Sequence, residues 1–189
     1  MKKIFSIILI FCSFMLIAKN KKKNNKKEQV IVTTHNHADT VVVSKPEKPD
    51  AVIGAPLFDF SVLTSKETVF TNKDIPKNNS FILMLFNPGC GHCIATTNAL
   101  KYKIKEFKNT TILLVTGNNL FNNLQEFIKD AGLTADIPIT VAAEMGDMTK
   151  KIFEYKGIPQ VMVYNKNKIL QQTFYKEVDI DSVQFYLKK

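Results

Sequence analysis

Six consecutive apolar residues, Phe81-Ile82-Leu83-Met84-Leu85-Phe86, run straight into Asn87-Pro88-Gly89. A run this short and this uniform predicts a strand covered on both faces, bounded by a breaker cluster. The flanking sequence supplies its neighbours. Phe58, Phe60 and Val62 alternate with Asp59 and Ser61, the pattern of a half-buried strand, and Thr68 to Thr71 pairs with it as a hairpin. After the breaker, Leu100, Ile104 and Phe107 recur at helical spacing, and Thr111 to Thr116 reads as another buried strand. Leu120, Leu124, Phe127, Ile128 and Ala131 form a helical stripe closed by Gly132. Ile137 to Val141 reads as a short strand and Asp147 to Tyr155 as a short helix. Gln160 to Tyr164 and Ile169 to Phe174 flank Asn165-Lys166-Asn167-Lys168 as a hairpin, and Asp179 to Leu187 closes the chain as an amphipathic helix. Strand–helix alternation ending in a hairpin and a helix gives an α/β sandwich with a mixed sheet.

This pattern occupies residues 51–189, and the chain ahead of it differs in kind. Of the 26 basic residues, all lysine, eight lie in residues 1–27, which hold no acid. The remainder carries 18 basic against 17 acidic residues, so the formal charge of +9 describes the N-terminus and not the domain. No base-reading motif accompanies that charge, and nucleic acid is not an expected partner. Lys2-Lys3 precedes an apolar stretch of fifteen residues, Ile4 to Ala18, which is signal-peptide length, whereas a membrane span needs about 20. Six lysines from Lys19 to Lys27 disfavour a retained anchor, while bulky Leu16 disfavours cleavage after Ala18. Residues 1–18 are therefore a signal peptide or an N-terminal anchor, and either places the domain outside the cytoplasm. Phe11 ahead of Cys12 argues against lipid attachment there. Residues 19–50 read as a polar tether, stiffened by Lys45-Pro46-Glu47-Lys48-Pro49, with β-prone stretches at Val30–Thr34 and Thr40–Ser44. His35, His37 and Asp39 within it read as solvated side chains, and no metal or cofactor is expected.

With Cys12 in the targeting segment, one cysteine pair remains, Cys90-Gly91-His92-Cys93. A lone Cys-x-x-Cys after an apolar strand reads as redox chemistry. Cys90 falls where the strand ends and a helix begins, and free N–H groups with the positive end of the helix dipole favour a thiolate there. Two intervening residues on the first turn bring the second sulfur within disulfide reach. Cys90 is thus the expected nucleophile and Cys93 the resolving thiol, with His92 adding positive character beside Cys90.

Phe81–Cys93, an apolar strand leading into Pro-x-Cys-x-x-Cys, resembles a thioredoxin active site. Tyr155 to Tyr164, with Gly157-Ile158-Pro159, resembles that superfamily's proline loop, and Ile53 to Phe60 resembles the entry segment of its exported TlpA-type branch. The resemblance implies a thioredoxin-like three-layer sandwich, its central mixed sheet flanked by helices, and thiol–disulfide exchange with protein thiols and disulfides. It implies a cis Ile158–Pro159 bond against Cys90, an Ile158 backbone that pairs with extended substrate, and a membrane redox partner. The Gly-His dipeptide is that of protein disulfide isomerases, with potentials of about −180 mV against about −270 mV for thioredoxin. The chain departs from the pattern in three places. Gly89 stands where a tryptophan is usual, Met84 where thioredoxins bury an acid, and Thr96 where some exported reductases carry one. Zinc binding lacks ligands, and the peroxiredoxin pattern is absent around Cys90. A non-enzymatic adaptor with a structural disulfide is the alternative that those departures leave open.

Overall fold

The computed structural model describes residues 52–147, 149 and 156–188. The expected targeting segment and tether lie outside the described residues, as do the stretches at 30–34 and 40–44 and the linker histidines. The same holds for the helix expected over Asp147–Tyr155, apart from Asp147 and Thr149.

The apolar run is strand β3, Ser80–Leu85, buried at every position. Its neighbours are β4, Thr110–Thr116, parallel to it, and β6, Gln160–Tyr164, antiparallel. Strand β5, Ile139–Glu144, extends the parallel side, and β1, Ser61–Thr64, adds antiparallel to β5. The edges are β2, Val69–Thr71, and β7, Leu170–Tyr175, which completes the β6 hairpin. The mixed seven-stranded order is β2-β1-β5-β4-β3-β6-β7.

Alternation along the strands divides the core into two. Ile82, Met84, Ile112, Leu114, Val141, Val161 and Val163 face a helical layer: α1, Gly91–Tyr102; α2, Leu124–Asp130; and α3, Ile180–Leu187. Phe81, Leu83, Leu85, Leu113, Val115 and Met162 face the other way, onto Phe60, Ile75 and Leu170, with Leu57, Phe58 and Phe70 alongside. Three expectations shift. The first strand begins at Ser61, although Phe58, Asp59 and Phe60 keep the predicted alternation of exposure. The fifth covers 139–144, not 137–141, because Pro138 lacks an N–H and the ladder with β4 starts at Ile139. The helical spacing through Phe107 divides into α1 and a separate 3-10 turn, Ile104–Glu106.

Helix ends are satisfied locally. Asp179 caps α3 by accepting from the N–H groups of Asp181 and Ser182. Gly132, at φ +56°, ends α2, and Lys101 of α1 donates to the Ala131 carbonyl there at 2.6 Å.

Candidate active site

The chain leaves β3 at Phe86 and turns through Asn87-Pro88-Gly89 into α1. Asn87 organises the turn twice: its side-chain oxygen accepts from Gly89 N–H at 2.9 Å, and its carbonyl from Cys90 N–H at 3.0 Å. Cys90 then occupies the N-cap, half-buried, and its sulfur accepts from Cys93 N–H at 3.4 Å. Gly91 and His92 are exposed on the first turn, whereas Cys93 is 0 % exposed beneath it. Both sulfurs are free thiols. Burial foremost, and then hydrogen bonding with Cys90, push the Cys93 thiol up to about 12, against a partial opposing effect of a bond from the Asn87 backbone.

Gly157, at φ +142°, leads into the cis Ile158–Pro159 bond at the start of β6. Pro159 is buried and Ile158 half-buried. Ile158 and Cys90 pack against the same apolar cluster that contains Cys93. Cys90, His92, Cys93, Ile158 and Pro159 thus come from two segments, the start of α1 and the entry to β6, which is adjacent to β3 in the sheet. Among the described residues no three His, Cys, Asp or Glu side chains converge as a metal site.

No family model matches the sequence, and no curated protein matches it. Solved structures do. The thioredoxin domain of a thiol–disulfide oxidoreductase from Bacteroides vulgatus aligns with TM-score 0.59 at 15% identity, covering 72% of this chain and 96% of that one. The chain has the thioredoxin fold. A thioredoxin-like protein from Aeropyrum pernix (TM-score 0.56, 13% identity, 69% and 88% covered) shares it. So does a secreted disulfide oxidoreductase of Mycobacterium tuberculosis, with TM-score 0.56 at 13% identity, covering 68% of this chain and 94% of that one.

Within the thioredoxin fold the departures acquire positions. Met84 is fully buried on the helical face of β3, and Thr96 is buried on α1, its neighbour Thr97 donating to the Cys93 carbonyl at 2.8 Å. Gly89 is exposed beside Cys90. Sequence reasoning passed over three residues that border the site. Asn87, Thr116 and Glu144 line one cavity of about 290 Å³ together with Ile158. Only Asn87 carried a sequence signal, as the head of a turn cluster. Thr116 and Glu144 end separate strands, and nothing local marks them.

Proposed function

We propose that this chain is a thiol–disulfide oxidoreductase that acts outside the cytoplasm, exchanging disulfides with protein thiols through Cys90 and Cys93. The observation that carries the reading is the asymmetry of the pair: a half-buried sulfur at the cap of α1 and a fully buried one a turn later. Exchange needs that asymmetry. Cys90 attacks a substrate disulfide and forms a mixed disulfide. Cys93 then attacks Cys90, the substrate leaves reduced, and the pair is left oxidised. Ile158 and Pro159 form the edge on which extended substrate is held, and His92 tunes the potential. The export segment in residues 1–18, the secretion of one fold neighbour and the Cys-Gly-His-Cys motif support an envelope role with a membrane redox partner. The redox state of the pair in the cell gives the direction: a mostly reduced pair means a reductase fed by a membrane electron donor.

Cysteine trapping tests the roles. In a Cys12→Ser background, Cys93→Ser leaves Cys90 able to attack with nothing to resolve the adduct, so covalent partners should accumulate on a non-reducing gel and be released by reductant. Cys90→Ser should trap almost nothing, because Cys93 is buried. Equal trapping by both overturns the assignment. Trapping by neither turns the reading to a binding module that keeps the fold.

A further inference from the structure

One end of the sheet carries the docking edge. Strands β3, β4 and β5 run parallel and finish there, and β6, which runs against β3, begins there. In the order β5-β4-β3-β6, that end presents Glu144, Thr116, Asn87 and Ile158. All four line the cavity of about 290 Å³, which therefore adjoins the edge through Ile158. A second cavity of about 300 Å³ shares Asn87 and Leu120 with it and continues past Gly89, next to Cys90, to Glu126 and Asp130. In a chain with 26 basic residues, the described residues of the two walls include Glu144, Asp147, Glu126 and Asp130 but no basic side chain. On the β7 side of Ile158 the sign reverses, because the Lys176 side chain lies against Gly157.

Within the first cavity the polar groups are short of donors. Glu144 is 6 % exposed, and Thr149 gives both its N–H, at 2.6 Å, and its hydroxyl, at 2.7 Å, to the same oxygen, Oε2. Oε1 takes neither bond and lies across Gly117, 3.9 Å from the point that a Cβ there would occupy. The Thr116 hydroxyl, in a residue 1 % exposed, has no hydrogen-bond partner among the described residues. A buried carboxylate oxygen beside an unpaired hydroxyl suits a cationic donor: an ammonium brings three N–H groups and a guanidinium five. Reach sets where that donor sits in a substrate. Strand β5 lies two strand spacings, about 10 Å, from β3, and an extended chain advances about 3.3 Å per residue.

We propose that this cavity is a specificity subsite for a basic side chain, a lysine or arginine about three residues from the reacting cysteine of a protein substrate. The inference rests on the exchange reading above and narrows its substrates to cysteines set in basic sequence.

The test uses the full chain carrying Cys12→Ser, so that Cys90 and Cys93 alone react. The probes are short cysteine peptides activated as mixed disulfides with a chromogenic aromatic thiol. Attack by Cys90 on the peptide sulfur expels the aromatic thiolate with the electron pair of the broken bond, and its colour gives the rate. Two peptide sets vary the residue three positions before or after the cysteine among lysine, arginine, glutamine and glutamate. In one set the lysine and arginine peptides should react about tenfold faster than the glutamine peptide, with glutamate slowest. Glu144→Gln keeps an oxygen for Thr149 and should bring the lysine and glutamine peptides to one rate. Gly117→Ala leaves every charge in place at φ −63°, which alanine adopts, and sets a methyl before Oε1 as the exposed Asn119 side chain turns aside. It should shrink the preference as well, and it decides the matter if Glu144→Gln does not fold. Asp136→Asn removes the same charge ahead of β5, at the far end of the sheet, and should keep the full preference. Absence of colour with every peptide in the parent defeats the exchange reading. Colour at one rate for all peptides overturns this inference and leaves that reading standing. A preference that survives both cavity variants also overturns it, as does one lost equally in Asp136→Asn, which would assign the effect to net charge.

Discussion

A thiol that burial keeps protonated makes stability depend on pH. Cys93 is raised from an ordinary 9.0 to about 12 in the folded, reduced protein. Below pH 9 both folded and unfolded chains hold the proton and Cys93 adds no pH dependence. Between 9 and 12 the unfolded chain releases it and the folded chain does not, so stability falls as pH rises, by at most about 1.4 kcal/mol per pH unit. Denaturant melts of the reduced protein between pH 8 and about 10.5 should show this slope, and Cys93→Ala should lose it while the shared lysine titrations remain. Identical slopes in the two proteins would mean that Cys93 ionises as freely folded as unfolded. His92 gives a second residue-scale prediction. Its imidazole stands exposed on the first turn of α1, and on the proposed exchange reading it favours the reduced pair. His92→Ser should make the couple more reducing by tens of millivolts, about 30 mV for each 1.4 kcal/mol, measured against a glutathione buffer. An unchanged potential would leave the helix terminus as the sole tuner. Both cysteines were legible because their geometry is set within one helical turn. Glu144 and Thr116 were not, because only the parallel pairing of β4 and β5 brings positions 116 and 143 side by side.

At the scale of elements, legibility followed how much of the signal was local. Strand β3 announces itself in six apolar residues, and the β6–β7 hairpin in a polar tetrapeptide between two apolar runs. Strand β5 was read too early because it ends in Ala142-Ala143-Glu144, which carries little apolar signal although all three are buried. Small side chains serve there because the strand is covered on both faces, a constraint that periodicity does not contain. The hairpin turn also holds a device the sequence hides. Lys168, at φ +61°, turns its ammonium onto the carbonyls of Pro76, Lys77, Asn79 and Lys166, the shortest being Asn79 at 2.6 Å. This ties the segment entering β3 to the edge hairpin, and Asn165 Oδ1 braces the turn by accepting from the N–H groups of Asn167 and Ile169. Lys168→Met removes the charged donor and should cost about 1.5 kcal/mol of unfolding free energy, read as a lower denaturation midpoint at constant slope. Thiol reactivity should stay at the parent level, since β3 itself is held by β4 and β6. No loss of stability would show that solvent satisfies those carbonyls equally well.

The molecule as a whole divides at the start of the sheet. Among the described residues the buried apolar core begins at Phe60 and ends at Val183, and the chain is stitched to it from Gly54 onward. Gly54 N–H donates to the Leu170 carbonyl at 2.8 Å, Leu57 N–H to the Lys168 carbonyl at 2.7 Å, and Pro56 bridges Ile169. A chain cut after residue 50 keeps all of these bonds and every one of those core residues. It also sheds ten lysines, four acids and the apolar Ile4–Ala18 segment, and with them six of the nine net positive charges. Fragment 51–189 should therefore be soluble, unfold in a single cooperative transition, and react with a chromogenic aromatic disulfide at the rates of the full chain. Those residues should matter for location instead. A reporter active only outside the cytoplasm, fused after Lys189, should work on the full chain and fail on the fragment. A fragment that precipitates or reacts slowly would place residues 1–50 within the folded unit. A full-length fusion active only in the cytoplasm would overturn the export reading and leave the exchange chemistry to be judged by the thiol experiments alone.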